Sequence, residues 1–398
     1  MKAKLSYRVS RMAESETIKM AQKARDLAAQ GHKVINLSLG EPDFDTPEFI
    51  KESAMQALRD GYTKYTPVPG LPELRQAIQA KFSRDNDLHF AMDEIVVSNG
   101  AKQCLANVMF AFLESGDEAI IFSPYWVSYY EMIVMTDATP VLLPAGIEHD
   151  FKVQPEQLAA AINPKTRMIL FSSPCNPTGT VYSKAELEAL AEVLKPYPDI
   201  LVVSDEIYEY INFTEKHFSI GSIPHLRDRT VTVNGFAKGF AMTGWRLGYM
   251  GGPGWLMKAC SKVQSQFTSG ANAFGQRAAV TALNSPLDAT YAMKAQFQRR
   301  RDLFAERLSR LPGWKVNRPD GAFYLFPDIS AFFIKSGPNG SIRDASDFSE
   351  FLLDQAHVAT VSGSAFGDDR CIRLSYAASE QDLIEACHRI EKAMHQLW

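Results

Sequence analysis

The sequence predicts an α/β protein, with a mostly parallel sheet in a large domain and a smaller α+β domain beside it. Three observations carry this. Short apolar runs recur at 118–122 (EAIIF), 167–173 (RMILFSS), 200–205 (ILVVSD) and 230–236 (TVTVNGF). Helical patterns lie between several of them, clearest at 183–197, where Ser183 and Glu186 form a capping box ahead of leucines at helical spacing. Strand, helix, strand at this spacing gives βαβ units, and continuously apolar strands belong to a parallel sheet covered on both faces.

After about residue 285 the texture changes. A charged helix at 291–311, the short strands GAFYLF and CIRLSY, and an amphipathic helix from Ser379 onward read as α+β. With 398 residues the chain exceeds what one core usually organises. The expected division is an N-terminal arm with part of the small domain at 1–45, a large domain at 46–285 and a small C-terminal domain at 286–398.

The net charge of −4 gives no electrostatic reason to expect nucleic acid or an anionic membrane as partner. No apolar run approaches eighteen residues, and the N-terminus has no apolar leader segment. The five cysteines are scattered without a C-x-x-C pair, which argues against a disulfide framework and against a metal site. A cytoplasmic protein is expected.

Ligands of open α/β sheets sit beyond the carboxyl ends of the strands. After RMILF comes SSPCNPTG with Asn176, whose ordinary reading is a rigid turn. After ILVVS come Asp205 and Tyr208; the aspartate is either a helix N-cap or a carboxylate held for a cation. After TVTVNGF comes Lys238, followed eight residues on by Arg246. A lone lysine is ordinarily a solvated side chain, but Gly235, Phe236, Ala237, Gly239, Phe240 and Ala241 offer it no polar face. A lysine in apolar surroundings loses its proton readily, and a neutral amine attacks carbonyls. An amide, a carboxylate with a tyrosine, and a lysine with an arginine match the needs of pyridoxal 5′-phosphate: an amine for its aldehyde, a carboxylate for its ring nitrogen, donors for its phenolic oxygen and cations for its phosphate.

The stretches LSLGEPDFDTP, YTKYTPVPGLPELRQAI, SNGAKQ, PYWVSY, SSPCNPTG, SDEIYEYI, NGFAKGFAMTGWRLGY, GAFYLF and CIRLSY occur in one order along nearly the whole chain. In this the sequence resembles the fold-type I aminotransferases, in the class I branch that contains bacterial aspartate aminotransferases. The resemblance implies a Schiff base on Lys238, Asp205 against the pyridinium nitrogen, Asn176 and Tyr208 on the phenolic oxygen, and Trp126 stacked on the ring. It gives the phosphate to Arg246, to N–H groups around Gly100 and Ala101, and to Tyr65 from a second subunit, hence a homodimer with shared active sites. The family's lysine signature often has serine before the lysine, where this chain has Ala237.

For substrates, amino acids and 2-oxo acids, the resemblance assigns the α-carboxylate to Arg373 and Gly40, with Asn176 and Trp126 alongside. Arg373 alternates with Ile372 and Leu374 and so faces away from that apolar pair. Lys102 stands in the first turn of an expected helix, where it opposes the helix dipole; the resemblance makes it the contact for a distal carboxylate, with Thr17 as a second contact. Ping-pong transfer between L-aspartate and 2-oxoglutarate is expected, with prephenate, aromatic or alanine transamination, or a β-elimination lyase on the same lysine and aspartate, as alternatives. A dinucleotide-binding oxidoreductase is the outside rival: GGPGW at 251–255 follows a strand-like segment, but lacks a third glycine and a helix signal directly behind. No G-x-S-x-G occurs for a serine hydrolase, and the leader is too short and too weakly basic to be a DNA-binding module of a regulator.

Overall fold

Seven strands form one sheet in this computed structural model: β1 Ile95–Ser98, β2 Glu118–Ser123, β3 Thr139–Pro144, β4 Thr166–Ser172, β5 Leu201–Asp205, β6 Thr230–Gly235 and β7 Gly248–Gly251. The structure describes residues 5–12, 16–214, 216–338 and 340–398; the side chains of Glu16 and Thr17 lie outside the described residues. The spatial order is β1-β7-β6-β5-β4-β2-β3, parallel throughout except for β7, which runs antiparallel to both its neighbours. All four apolar runs that suggested strands are strands of this sheet.

The pleat explains why those runs are apolar without interruption. Ile121, Met168, Leu170, Val203, Val231 and Val233 pack on one face, against the helices Ala101–Phe112 and Gly254–Phe267. Their neighbours Ile120, Phe122, Ile169, Phe171 and Val202 pack on the other, against Leu187, Leu190, Ala191 and Leu194 of the helix Lys184–Leu194. That helix starts where the capping box placed it: the Glu186 N–H donates to Ser183 Oγ (3.3 Å) and the Ser183 N–H to Glu186 Oε2 (2.7 Å).

The later part of the chain builds a three-stranded antiparallel sheet from Val361–Ser362, Ile372–Ser375 and Tyr324–Leu325. The helices Asp288–Ser309 and Glu380–Met394 bury Phe297, Phe304, Leu308, Leu383 and Ile390 in the same core as Leu325 and Leu374. Ile35–Asn36 pairs in parallel with Val358–Ala359, which stitches the N-terminal segment to the C-terminal elements. Among the described residues no helix is long and apolar enough to cross a membrane.

One expectation is corrected. A helix does follow GGPGW directly: Gly254–Phe267 starts inside it, with Pro253 extended at the cap position and Leu256, Met257, Cys260 and Gln264 turned inward. Because β7 is antiparallel, this turn lies at the edge of the sheet opposite the carboxyl ends of the parallel strands, and dinucleotide sites of open α/β sheets sit at the carboxyl ends.

Behind the end of β5 lies a buried polar network. The Lys81 ammonium, fully buried, pairs with Glu209 and donates to Asn86 Oδ1 (2.6 Å). Asn86 Nδ2 donates to Glu209 Oε2 (2.8 Å) and to Ser219 Oγ (2.9 Å), while Glu206 accepts from Ser204, Ser219 and His217. Removing one member of such a pair strands the other charge without water. Lys81→Met is expected to destabilise the protein by about 3–5 kcal/mol, read as a lowered urea midpoint; an unchanged midpoint would show that Glu209 does not depend on Lys81.

Candidate active site

The carboxyl ends of β1, β2, β4, β5 and β6 open on one cavity of about 370 Å³, and the residues just before β7 complete its wall. Register brings the chemistry together: Ser172 at the end of β4 lies beside Asp205 at the end of β5, and Asp205 beside Val233 on β6.

At one end the wall forms a cradle. Gly100 caps the helix Ala101–Phe112 with φ at +89°, and a Cβ there would lie 2.6 Å from Arg246 Nη2. A Cβ on Gly248 would overlap the Ala101 nitrogen. The two glycines therefore let a guanidinium and a helix N-terminus close on one point, the arrangement that suits a phosphate. Arg246 is aimed by a hydrogen bond from its Nη1 to Thr243 O (2.8 Å).

Next to the cradle, the Lys102 ammonium stands 4.9 Å over the Trp126 ring. Burial lowers its pKa, and Arg246 adds to the effect. Lys102 is in the first turn of the helix, as expected.

Asp205 is buried and, among the described residues, accepts only from neutral donors, Tyr129 Oη (2.6 Å) and the Ile207 N–H (3.2 Å). Burial pushes its pKa up to about 6 against the pull of those bonds. The Ile207 contact is a local turn, and no helix follows it, so Asp205 is not a helix N-cap. A buried carboxylate that is oriented but not neutralised is what a cationic ring nitrogen would complete.

Lys238 donates to Gly40 O, and its ammonium stands 5.6 Å from the rings of Tyr208 and Phe323. Burial lowers its pKa to about 8; Arg373 and Arg246 push the same way, while Glu41 and Asp205 oppose them. The sequence around Lys238 holds no carboxylate; the fold supplies two.

Tyr208 Oη bonds Tyr324 Oη (2.7 Å), which ties the end of β5 to the small sheet. Arg373 is buried rather than on an exposed strand face: Nη1 donates to Asn176 Oδ1 (2.9 Å) and Nη2 to Ser38 O (2.6 Å), while its guanidinium packs over Tyr324 and Phe366. Its Nε is buried without a partner among the described residues, a donor left for a ligand.

Lys238, Asp205, Tyr208, Asn176, Trp126, Gly100, Ala101, Arg246, Gly40, Lys102 and Arg373 thus line one cavity. Two expected residues stand apart. Tyr65 is 99% exposed and lines a separate surface cleft, away from the cavity of its own subunit. The Thr17 side chain lies outside the described residues, although the following Ile18 lines the cavity. Sequence reasoning missed Tyr129, Tyr324, Ser38 and Glu41; the first three bond residues 76 to 335 positions away, and no local pattern marks such partners.

The donor set fits pyridoxal phosphate: a cationic cradle at a helix N-terminus, a lysine with a loosened proton, and a buried carboxylate hydrogen-bonded by neutral donors. The family model for class I and II aminotransferases matches residues 32–390. The bifunctional aspartate aminotransferase and glutamate/aspartate-prephenate aminotransferase of Petunia hybrida is 47% identical, over 98% of this chain and 82% of its own. The aspartate/prephenate aminotransferase of Cereibacter sphaeroides is 46% identical, over 97% and 98%. Among solved structures, the aspartate aminotransferase from Rhizobium meliloti superposes with a TM-score of 0.96 at 44% identity, over the full length of both chains. That from Thermus thermophilus, with maleate, superposes with a TM-score of 0.92 at 43% identity, over 98% of this chain and 100% of its own. The chain belongs to the class I and II aminotransferases and is a pyridoxal phosphate-dependent transaminase with a fold-type I architecture.

Proposed function

We propose that this transaminase exchanges the amino group of L-aspartate with 2-oxoglutarate, acting as a cytoplasmic homodimer. The observation that carries the acidic substrate is the pairing of two cations in one cavity: Arg373 for the α-carboxylate and Lys102 for a distal one. The Thermus thermophilus relative carries maleate, a four-carbon dicarboxylate. The five unpaired, buried cysteines suit a reducing compartment.

When bound, the cofactor supplies an aldehyde for the amino group and an electron-withdrawing ring. Asp205 holds a proton on the ring nitrogen, and Tyr129 keeps that carboxylate in place. Asn176 and Tyr208 donate to the phenolic oxygen, and Trp126 covers the ring face. Arg246, the N–H groups at Gly100 and Ala101, and Tyr65 of the partner subunit hold the phosphate. Lys238 Nζ, once neutral, takes the proton from the substrate Cα and gives it back. Gly40 and Thr17 complete the substrate contacts. The division of the chain at 1–45, 46–285 and 286–398 belongs to the same proposal, with the cofactor on the middle part and Arg373 and Gly40 brought in from the outer two.

A second reading has a specific observation behind it: the Petunia hybrida and Cereibacter sphaeroides relatives carry prephenate in their names. Prephenate also bears two carboxylates, so the same cations serve it. An assay with each acceptor separates the two.

The reading is tested by adding L-aspartate alone to the loaded enzyme and following the visible band of the bound cofactor. The band is expected to give way to an ultraviolet one. Lys238→Ala is expected to slow this conversion by about 10,000-fold or more, and Asp205→Ala to come close to that; near-normal conversion in either variant would sink the assignment.

Lys102→Leu is expected to lower kcat/KM for aspartate relative to alanine by about 10- to 100-fold, the worth of one charge-assisted hydrogen bond. Parallel kinetics on the two amino acids check this, and an unchanged ratio would remove Lys102 from substrate recognition.

The pH dependence follows from Lys238. Its neutral fraction rises as pH climbs through about 8 instead of the ordinary 10.5. Borohydride trapping of pyridoxal on Lys238 in the cofactor-free protein is expected to accelerate with pH and level off just above 8. In Arg373→Leu one of the two charges that add to the effect of burial is gone, so the midpoint moves up.

A further inference from the structure

Tyr65 presents a contrast. Its side chain is 99% exposed, yet the loop that follows it is hydrogen-bonded to two buried glutamines and to a strand. Gln276, fully buried on the helix Ala273–Asn284, uses its whole amide on that loop's surroundings. Its Oε1 accepts from the Leu71 N–H (2.8 Å); its Nε2 donates to Thr66 Oγ1 (3.1 Å) and to Ala271 O (2.7 Å). Thr66 Oγ1 in turn donates to the same Ala271 O (2.9 Å). Gln264, also fully buried, donates to Val68 O (2.8 Å), and the Val97 N–H donates to Pro69 O (3.0 Å).

So Thr66, Val68, Pro69 and Leu71 are each tied to interior groups on three other elements. A solvated aromatic needs no such support. A side chain that must reach a ligand outside its own subunit does, because a loose loop would lose binding free energy to ordering.

We propose that Gln276, with Thr66 as its relay, is a positioning residue for the cofactor phosphate of the neighbouring subunit: it fixes the 66–71 loop so that Tyr65 projects at the right place and angle. The inference rests on the reading above that gives Tyr65 to the partner subunit's phosphate. Neither Gln276 nor Thr66 touches the cofactor; both act through Tyr65. Their effect therefore depends on the phosphate group alone, and that is a readout a merely structural role would not move.

The experiment compares the binding of pyridoxal phosphate with that of pyridoxal, which lacks the phosphate, in the full-length protein. The isosteric Thr66→Val is the main variant, because Gln276→Leu takes the acceptor from the Leu71 N–H, puts an apolar side chain against Thr66 Oγ1 and Ala271 O, and risks the fold. Thr66→Val is expected to weaken pyridoxal phosphate about tenfold, the loss of one hydrogen bond to a charged group, and to leave pyridoxal unchanged. Tyr65→Phe is expected to do the same, and the double variant Tyr65→Phe/Thr66→Val to bind no more weakly than Tyr65→Phe alone.

If Tyr65→Phe weakens pyridoxal phosphate while Thr66→Val and a folded Gln276→Leu do not, the positioning role is overturned and the reading of Tyr65 stands. If Thr66→Val weakens both compounds equally, its role is structural and the proposal falls. Unchanged binding in Tyr65→Phe overturns the reading of Tyr65 itself, and the proposal with it.

Discussion

The charged side chains around the cavity are held in place by neutral partners. Lys238 donates to a backbone carbonyl at Gly40, Arg246 to one at Thr243, and Arg373 to Asn176 and the Ser38 carbonyl. Asp205 accepts from a phenol and an amide, and Lys102 rests on an indole. A neutral partner orients a charge without cancelling it. The consequence is electrostatic strain of a useful kind: Lys238 is pulled down to about 8 and Asp205 pushed up to about 6, each toward its neutral form. A ligand that brings an aldehyde, a basic ring nitrogen and a phosphate relieves all of these at once, which is a physical reason for one cavity to select one cofactor.

Much of this was legible because strand ends are local features. An apolar run fixes where a strand stops, and the next polar residue falls at the carboxyl edge; Asn176, Asp205 and Lys238 could be picked out in that way. Alternation in CIRLSY set Arg373 apart from its apolar neighbours, but not what it faces, since that depends on its pairing opposite Val361 and on packing over Tyr324 and Phe366. Tyr129, Tyr324 and Ser38 were illegible for a similar reason. Each acts through a single bond to a residue far along the chain, and a lone tyrosine or serine in an apolar stretch looks like core or turn. The helix after GGPGW was missed because its signal is an inward face of Leu256, Met257, Cys260 and Gln264, in which a buried glutamine breaks the apolar pattern.

The buried network behind β5 follows the opposite rule, and the contrast clarifies the site. There Lys81 meets Glu209, and His217 meets Glu206, so that each carboxylate has a nitrogen partner from the protein itself. Asp205 and Glu206 are consecutive, and their carboxylates belong to the two environments: one reaches the cavity, the other Ser204, Ser219, Asn86 and His217. The saturated carboxylate anchors the strand end while its neighbour remains open, and its negative charge contributes to the raised pKa of Asp205. An open, oriented charge costs stability wherever it is placed. A strand end that must carry one is steadier when the adjacent carboxylate is held by several donors at once, so the two carboxylates of SDEIY divide between them the work of presenting a charge and of holding it still.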